Sequence, residues 1–92
     1  MEKQIGDMYL ASALLAYGAS LVRIDRTNSR RLKFCFTGDV EEVYVLDGLA
    51  PVRVQDPTLD DVEARFISRT LMFPPDYPGA IRRIKAAIHS ED

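Results

Sequence analysis

Between Asp7 and Gly18 lie ten residues, Met8 to Tyr17, of which only Ser12 is polar. Asp7 can accept hydrogen bonds from the orphan amides of a first helical turn, and Gly18 can take the left-handed conformation that ends a helix. A helix this apolar has no stripe to give to water, so it is expected to be buried rather than laid on a surface. It needs an apolar sheet face to cover it. That requirement constrains the rest of the chain more than any other feature does.

Ninety-two residues suffice for one domain spanning 1–92, and at this length the buried fraction of unfolded surface is roughly 60 to 65%. The hydrophobic share of 47% and charged share of 28% are those of an ordinary globular protein, and the net charge of −2 neither demands nor excludes a charged partner. One cysteine cannot form an internal disulfide, which suits a reducing, cytoplasmic setting. No basic segment precedes a long apolar run at the N-terminus. The run from Tyr9 to Ala19 is too short to span a bilayer, so no membrane association is expected.

After Gly18, Leu21–Arg26 alternates as a half-buried strand. Thr27-Asn28-Ser29-Arg30 is turn chemistry, and Leu32–Thr37 alternates cleanly before Gly38. The two runs predict a β-hairpin, with Leu32, Phe34 and Phe36 on the face that packs on the helix and Lys33, Cys35 and Thr37 on the other. In Val40–Leu49, the spacing of Val40, Val43, Tyr44 and Asp47 favours a short helix capped by Asp39, although valines favour a strand. Val52-Arg53-Val54 is a candidate third strand. Asp56 followed by Pro57 reads as a cap and first position of a helix whose apolar stripe includes Leu59, Val62, Phe66 and Phe73. Pro74 to Gly79 stops it, and a last amphipathic helix is expected over Ala80–His89, burying Ile81, Ile84 and Ile88. The fold class is α+β: an N-terminal helix packed on a hairpin, followed by two or three helices.

Five basic residues, Arg23, Arg26, Arg30, Arg31 and Lys33, fall on or around the hairpin, and Arg82, Arg83 and Lys85 sit on the last helix. The stretch from Asp39 to Glu63 is acidic, with Arg53 its only basic residue. The plain reading of the hairpin is a solvated, aggregation-resistant edge. The alternative is nucleic-acid contact, because the arginine fork matches two phosphate oxygens. A third is that the basic and acidic regions meet across a homodimer interface. Phe34 and Phe36 are read as core rather than as a base-stacking platform.

Chemistry is sparse. Cys35 and His89 are each the only residue of their type and cannot make a metal site alone. Cys35 reads as packed, His89 as solvated, and Ser12 has no base near it. Asp60-Asp61 and Glu41-Glu42 suit helix-dipole complementation better than acid/base work. There is no glycine-rich phosphate loop. No cofactor or metal is expected, and an enzyme is the least favoured reading. Pro74–Gly79 reads as a stiff connector; its alternative is a docking site with Tyr77 exposed as an aromatic anchor.

The run Asp7-Met8-Tyr9-Leu10-Ala11-Ser12-Ala13-Leu14-Leu15-Ala16-Tyr17-Gly18, followed by Leu21-Val22-Arg23-Ile24 and Lys33-Phe34-Cys35-Phe36, resembles a family of short bacterial and phage domains. Those domains carry a D-x-Y-L-A-A-x-L-L-A-x-G helix, then a hairpin, then helical segments; Ser12 stands where alanine is usual. The resemblance covers about the first forty residues. It implies the same helix-and-hairpin fold and a bacterial or phage setting, and it brings no assigned activity and no site residues. The expectation is therefore a small non-catalytic binding or regulatory module that forms a homodimer, since a second interface supplements a limited core. Its partner would be a protein or, through the basic hairpin, a nucleic acid.

Overall fold

The computed structural model describes residues 2–28, 30–40 and 42–89. Helix α1 spans Met8–Ala16. The Asp7 carboxylate accepts from the Tyr9 and Leu10 amides at 2.7 and 3.2 Å, as a cap should. At the other end Ala19 N–H donates to the Leu14 carbonyl and Gly18 N–H to the Leu15 carbonyl, a pair of bonds that requires Gly18 at φ +103°. Leu10, Ala11, Ser12, Ala13 and Leu14 are all buried. Ser12 meets that burial by donating its hydroxyl to the Met8 carbonyl at 2.8 Å.

The cover over α1 is a three-stranded antiparallel sheet of β1 (Lys3–Ile5), β2 (Ser20–Asp25) and β3 (Lys33–Thr37), with β3 in the centre. The hairpin is β2–β3, and β1 is an addition that the sequence reading lacked. Ile5 and Ile24 flank Phe34 on one face, while Lys3 and Leu21 flank Phe36. Leu21 and Ile24 are three residues apart, so simple alternation would put them on opposite faces. A bulge at Val22 supplies the extra residue that turns both inward and leaves Val22 exposed.

On the other face Gln4 and Arg23 flank Cys35, which has no exposed surface. Arg23 pairs with Glu2 at 2.9 Å, so an ion pair crosses β3 on the face that carries the thiol. Lys3, on the inner face, reaches the carboxylates of Asp60 at 2.5 Å and Glu63 at 2.7 Å on helix α2 (Leu59–Ile67), tying that helix to the sheet edge.

Residues 40–49 correct the helical expectation. Tyr44–Asp47 is a strand, β4, and Ala50–Arg53 is its antiparallel partner, β5. The two-residue connection places Gly48 first, at φ +67°, the position where a tight hairpin turn of right-handed twist demands glycine. The burial period is two: Val43 and Val45 are buried, Tyr44 and Leu46 exposed. Thr70–Met72 runs along the free side of β4, through Leu46 N–H to the Thr70 carbonyl at 2.7 Å and Met72 N–H to the Tyr44 carbonyl at 3.0 Å. The candidate third strand therefore exists, starting two residues and ending one residue earlier than expected, and belongs to this second sheet.

Helix α2 begins at a different cap. Thr58 and Asp61 exchange hydrogen bonds in a capping box, while Asp56 sits at φ +45° outside the helix. It ends at Ser68 rather than reaching Phe73, because Arg69 at φ +63° turns the chain toward β4. Helix α3 (Tyr77–His89) starts three residues before the expected Ala80, with Pro78 in a first turn that tolerates it. It lies against α1 and fully buries Ile84, while Ile81 and Ile88 are half-buried. The fold is thus α+β: three helices, and antiparallel sheets of three and two strands.

Two groups link this packing to alkaline pH. Hydrogen bonds to Asp60, then Glu63, hold the Lys3 ammonium above its usual range. Burial pushes the Tyr17 phenol up, with a backbone hydrogen bond from Tyr44 acting in the opposite sense. The Tyr17 hydroxyl donates to the Met72 carbonyl, joining α1 to the second sheet. Both folded values lie above the unfolded ones. Their stabilisation is therefore complete below about pH 10 and is lost as pH rises through the folded values. Urea midpoints are expected to fall beyond about pH 10 and to fall less steeply in Tyr17→Phe. The Lys3 share is small, under about 1 kcal/mol, because its partners are largely solvated. An unchanged alkaline slope in Tyr17→Phe would remove Tyr17 from this account.

Candidate functional site

The hairpin's five basic residues do not form one patch. Arg23 is engaged by Glu2 across the outer sheet face. The Arg26 guanidinium donates to the Ala87 carbonyl at 3.0 Å, a cation on the last turn of α3 where carbonyls lack helical partners. The other three, Arg30, Arg31 and Lys33, converge. With Met8, Leu32 and Ile88 they line a groove of about 450 Å³ between the hairpin and the end of α3. The Arg30 and Arg31 amides donate to the side chain and carbonyl of Asn28, each at 3.0 Å, which fixes the turn presenting them. Neither guanidinium has an ion-pair partner among the described residues.

Among the described residues, the acidic groups beside this groove are Asp25 and Asp7, and both already have donors. Asp25, opposite Lys33 in the strand register, is held below its usual range by the Thr27 hydroxyl and then the Thr27 amide. Asp7, between Gly6 and Met8 of the groove wall, faces the amides it caps. The groove thus has a half-buried aliphatic floor and a cationic rim. Phe34 also lines the groove, but at 2% exposure, with Phe36 at 0%, it offers no ring face to a base.

A second surface was not anticipated. The β4–β5 hairpin exposes Leu46, Leu49, Val52 and Tyr44, and Leu49 at the turn is fully exposed, at 103%. A leucine beside a turn glycine was the available signal, and it was masked by reading the segment as helix.

Tyr77 is half-buried and not the exposed anchor envisaged. Its hydroxyl donates to the Tyr9 carbonyl at 3.2 Å, and its ring packs on Phe73 with centroids 4.5 Å apart. Phe73 and Tyr44 are exposed aromatics of this corner and line, with Tyr17 and Pro75, a groove of about 510 Å³.

The side chains whose types are capable of catalysis have structural partners. Ser12 bonds Met8, Asp61 completes a cap, Asp60 pairs with Lys3, and Cys35 is sealed in the sheet. Glu41 lies outside the described residues. Among the described residues no three of His, Cys, Asp and Glu come together to hold a metal ion, and no helix is long and apolar enough to cross a membrane. No family model, curated protein or solved structure matches the chain. What the surfaces can do is therefore argued from their own chemistry: one end is an aliphatic groove rimmed by cations, and a hairpin elsewhere projects leucines.

Proposed function

We propose that this chain is a non-catalytic binding module that self-associates, with the β4–β5 hairpin as its interaction arm. The observation that carries this reading is the arm's apolar surface, with Leu49 fully exposed between Leu46 and Val52. Clustered exposed aliphatics of this kind mark interaction sites more often than solvated loops. Pro51 on β5 removes one edge donor, so the arm is suited to docking through side chains rather than by extending the sheet.

Sedimentation velocity from about 10 to several hundred micromolar should show concentration-dependent association, in the range that modest interfaces reach. Leu46→Asp combined with Leu49→Asp should weaken it by at least about a hundredfold, the equivalent of two buried leucine side chains lost. Wild-type protein that stays monomeric throughout that range overturns the proposal.

A second reading, contact with nucleic acid, is favoured by the guanidiniums of Arg30 and Arg31, which have no ion-pair partner among the described residues. The burial of Phe34 and Phe36 and the engagement of Arg23 weigh against it. Fluorescence anisotropy with labelled single- and double-stranded oligonucleotides at two salt concentrations tests it. Binding that falls steeply with salt and disappears in Arg30→Glu/Arg31→Glu would install that reading.

A further inference from the structure

We infer that the groove between the β2–β3 hairpin and the end of α3 is the receptor for the β4–β5 arm of a second copy of this chain. The inference rests on the self-association reading and specifies its contact. The arm tip reads Leu46-Asp47-Gly48-Leu49: two exposed leucines around one exposed carboxylate and a turn glycine. The groove offers the converse, an aliphatic floor of Met8, Leu32 and Ile88 under the cations Arg30, Arg31 and Lys33. Leu49 enters over that floor, and Asp47 meets the two arginines.

Four observations converge on this pairing. Within one molecule both surfaces stay open: Leu49 is fully exposed, so the arm does not occupy its own chain's groove. The guanidiniums of Arg30 and Arg31 have no ion-pair partner among the described residues, and the nearby carboxylates of Asp7 and Asp25 are occupied by amide and hydroxyl donors. The floor is apolar, and its one ring, Phe34, is only 2% exposed, which matches a leucine better than an unstacked base. Both partners are also pre-shaped. Gly48 fixes the arm turn and Asn28 fixes the turn that presents the arginines, so little ordering entropy is lost on docking.

Arm and groove are different patches of the same chain, so the contact can close reciprocally between two copies or repeat head to tail. In either geometry the contact carries a charge that can be reversed on each side independently.

That property supplies the test. Arg30→Glu/Arg31→Glu makes the groove acidic against a wild-type arm, and Asp47→Arg makes the arm basic against a wild-type groove. Each variant alone should associate at least about tenfold more weakly than wild type, since like charges now face each other. Mixed in equal amounts they should regain association, because each groove then meets an arm of opposite charge. All substituted side chains are exposed, so thermal melts should match wild type and exclude misfolding as the cause.

Wild-type association that persists in both variants places the contact elsewhere and overturns this inference while the self-association reading stands. Loss in both variants without recovery on mixing also overturns it. A monomeric wild type removes the underlying reading and this contact together. Unchanged association, with oligonucleotide binding abolished by Arg30→Glu/Arg31→Glu, would assign the groove to nucleic acid instead.

Discussion

Phe36→Ala is expected to leave this chain on the edge of unfolding at 25 °C. Phe36 has no exposed surface, sits in the central strand β3, and faces Lys3 on one side and Leu21 on the other. Among the described residues no other fully buried side chain is larger. Truncating such a phenylalanine removes its transfer free energy and leaves a cavity that relaxes only in part, together about 3–5 kcal/mol. A domain of this length holds roughly 5–14 kcal/mol in all. The substitution therefore takes at least about a fifth of that reserve, and most of it where a small domain lies near the low end. Urea unfolding followed by circular dichroism reads the loss directly. A change below about 1 kcal/mol would mean that the sheet collapses onto α1 without cost, contrary to close packing. Arg30→Glu/Arg31→Glu, confined to solvated side chains, should stay within about 0.5 kcal/mol of wild type.

The parts of this fold that were legible in the sequence are those decided by neighbours along the chain. Asp7 and Gly18 are set by the turns they end, and the Phe34–Phe36 face follows from alternation over five residues. β1 was not legible, because Lys3–Ile5 is three residues long and its strand character comes from pairing with β3, some thirty positions away. Residues 44–47 satisfied a helical spacing and a strand composition at once. The outcome was decided by Gly48, Val52 and the distant Leu71, which together gave Val45 partners on both sides. The cap of α2 was a local error. Asp56-Pro57 imitates a helix start, but the reciprocal pair Thr58 and Asp61 lies two residues on and satisfies two donors instead of one.

The candidate site divides the same way. That Arg30, Arg31 and Lys33 are basic and near a turn was plain. That Arg23 would be taken by Glu2 and Arg26 by the end of α3 depends on contacts 21 and 61 residues apart. The groove floor joins Met8 from α1 with Ile88 from α3, and no local pattern encodes that meeting. The prolines around Tyr77 point to an exposed connector, while its burial depends on Tyr9 and Phe73.

Ile84→Ala is expected to release α3 before the rest of the molecule. Ile84 is the one large side chain of α3 with no exposure; Ile81 and Ile88 on either side of it are half-buried. The cost should be about 2–4 kcal/mol at a site already close to the chain end. Beyond Ile84, a hydrogen bond from the Arg26 guanidinium to the Ala87 carbonyl still engages the helix, and one exposed bond cannot replace a buried isoleucine. Hydrogen exchange should therefore show α3 amides losing protection by a larger factor than those of β3, as a locally unfolding unit does. Equal losses in both elements would mean that α3 unfolds only with the whole domain. Because Ile88 forms part of the groove floor, the same substitution should weaken the self-association proposed above, without touching the contact itself. Weaker association with full α3 protection would separate the two effects, and the packing of α3 would then not be what holds the groove in shape.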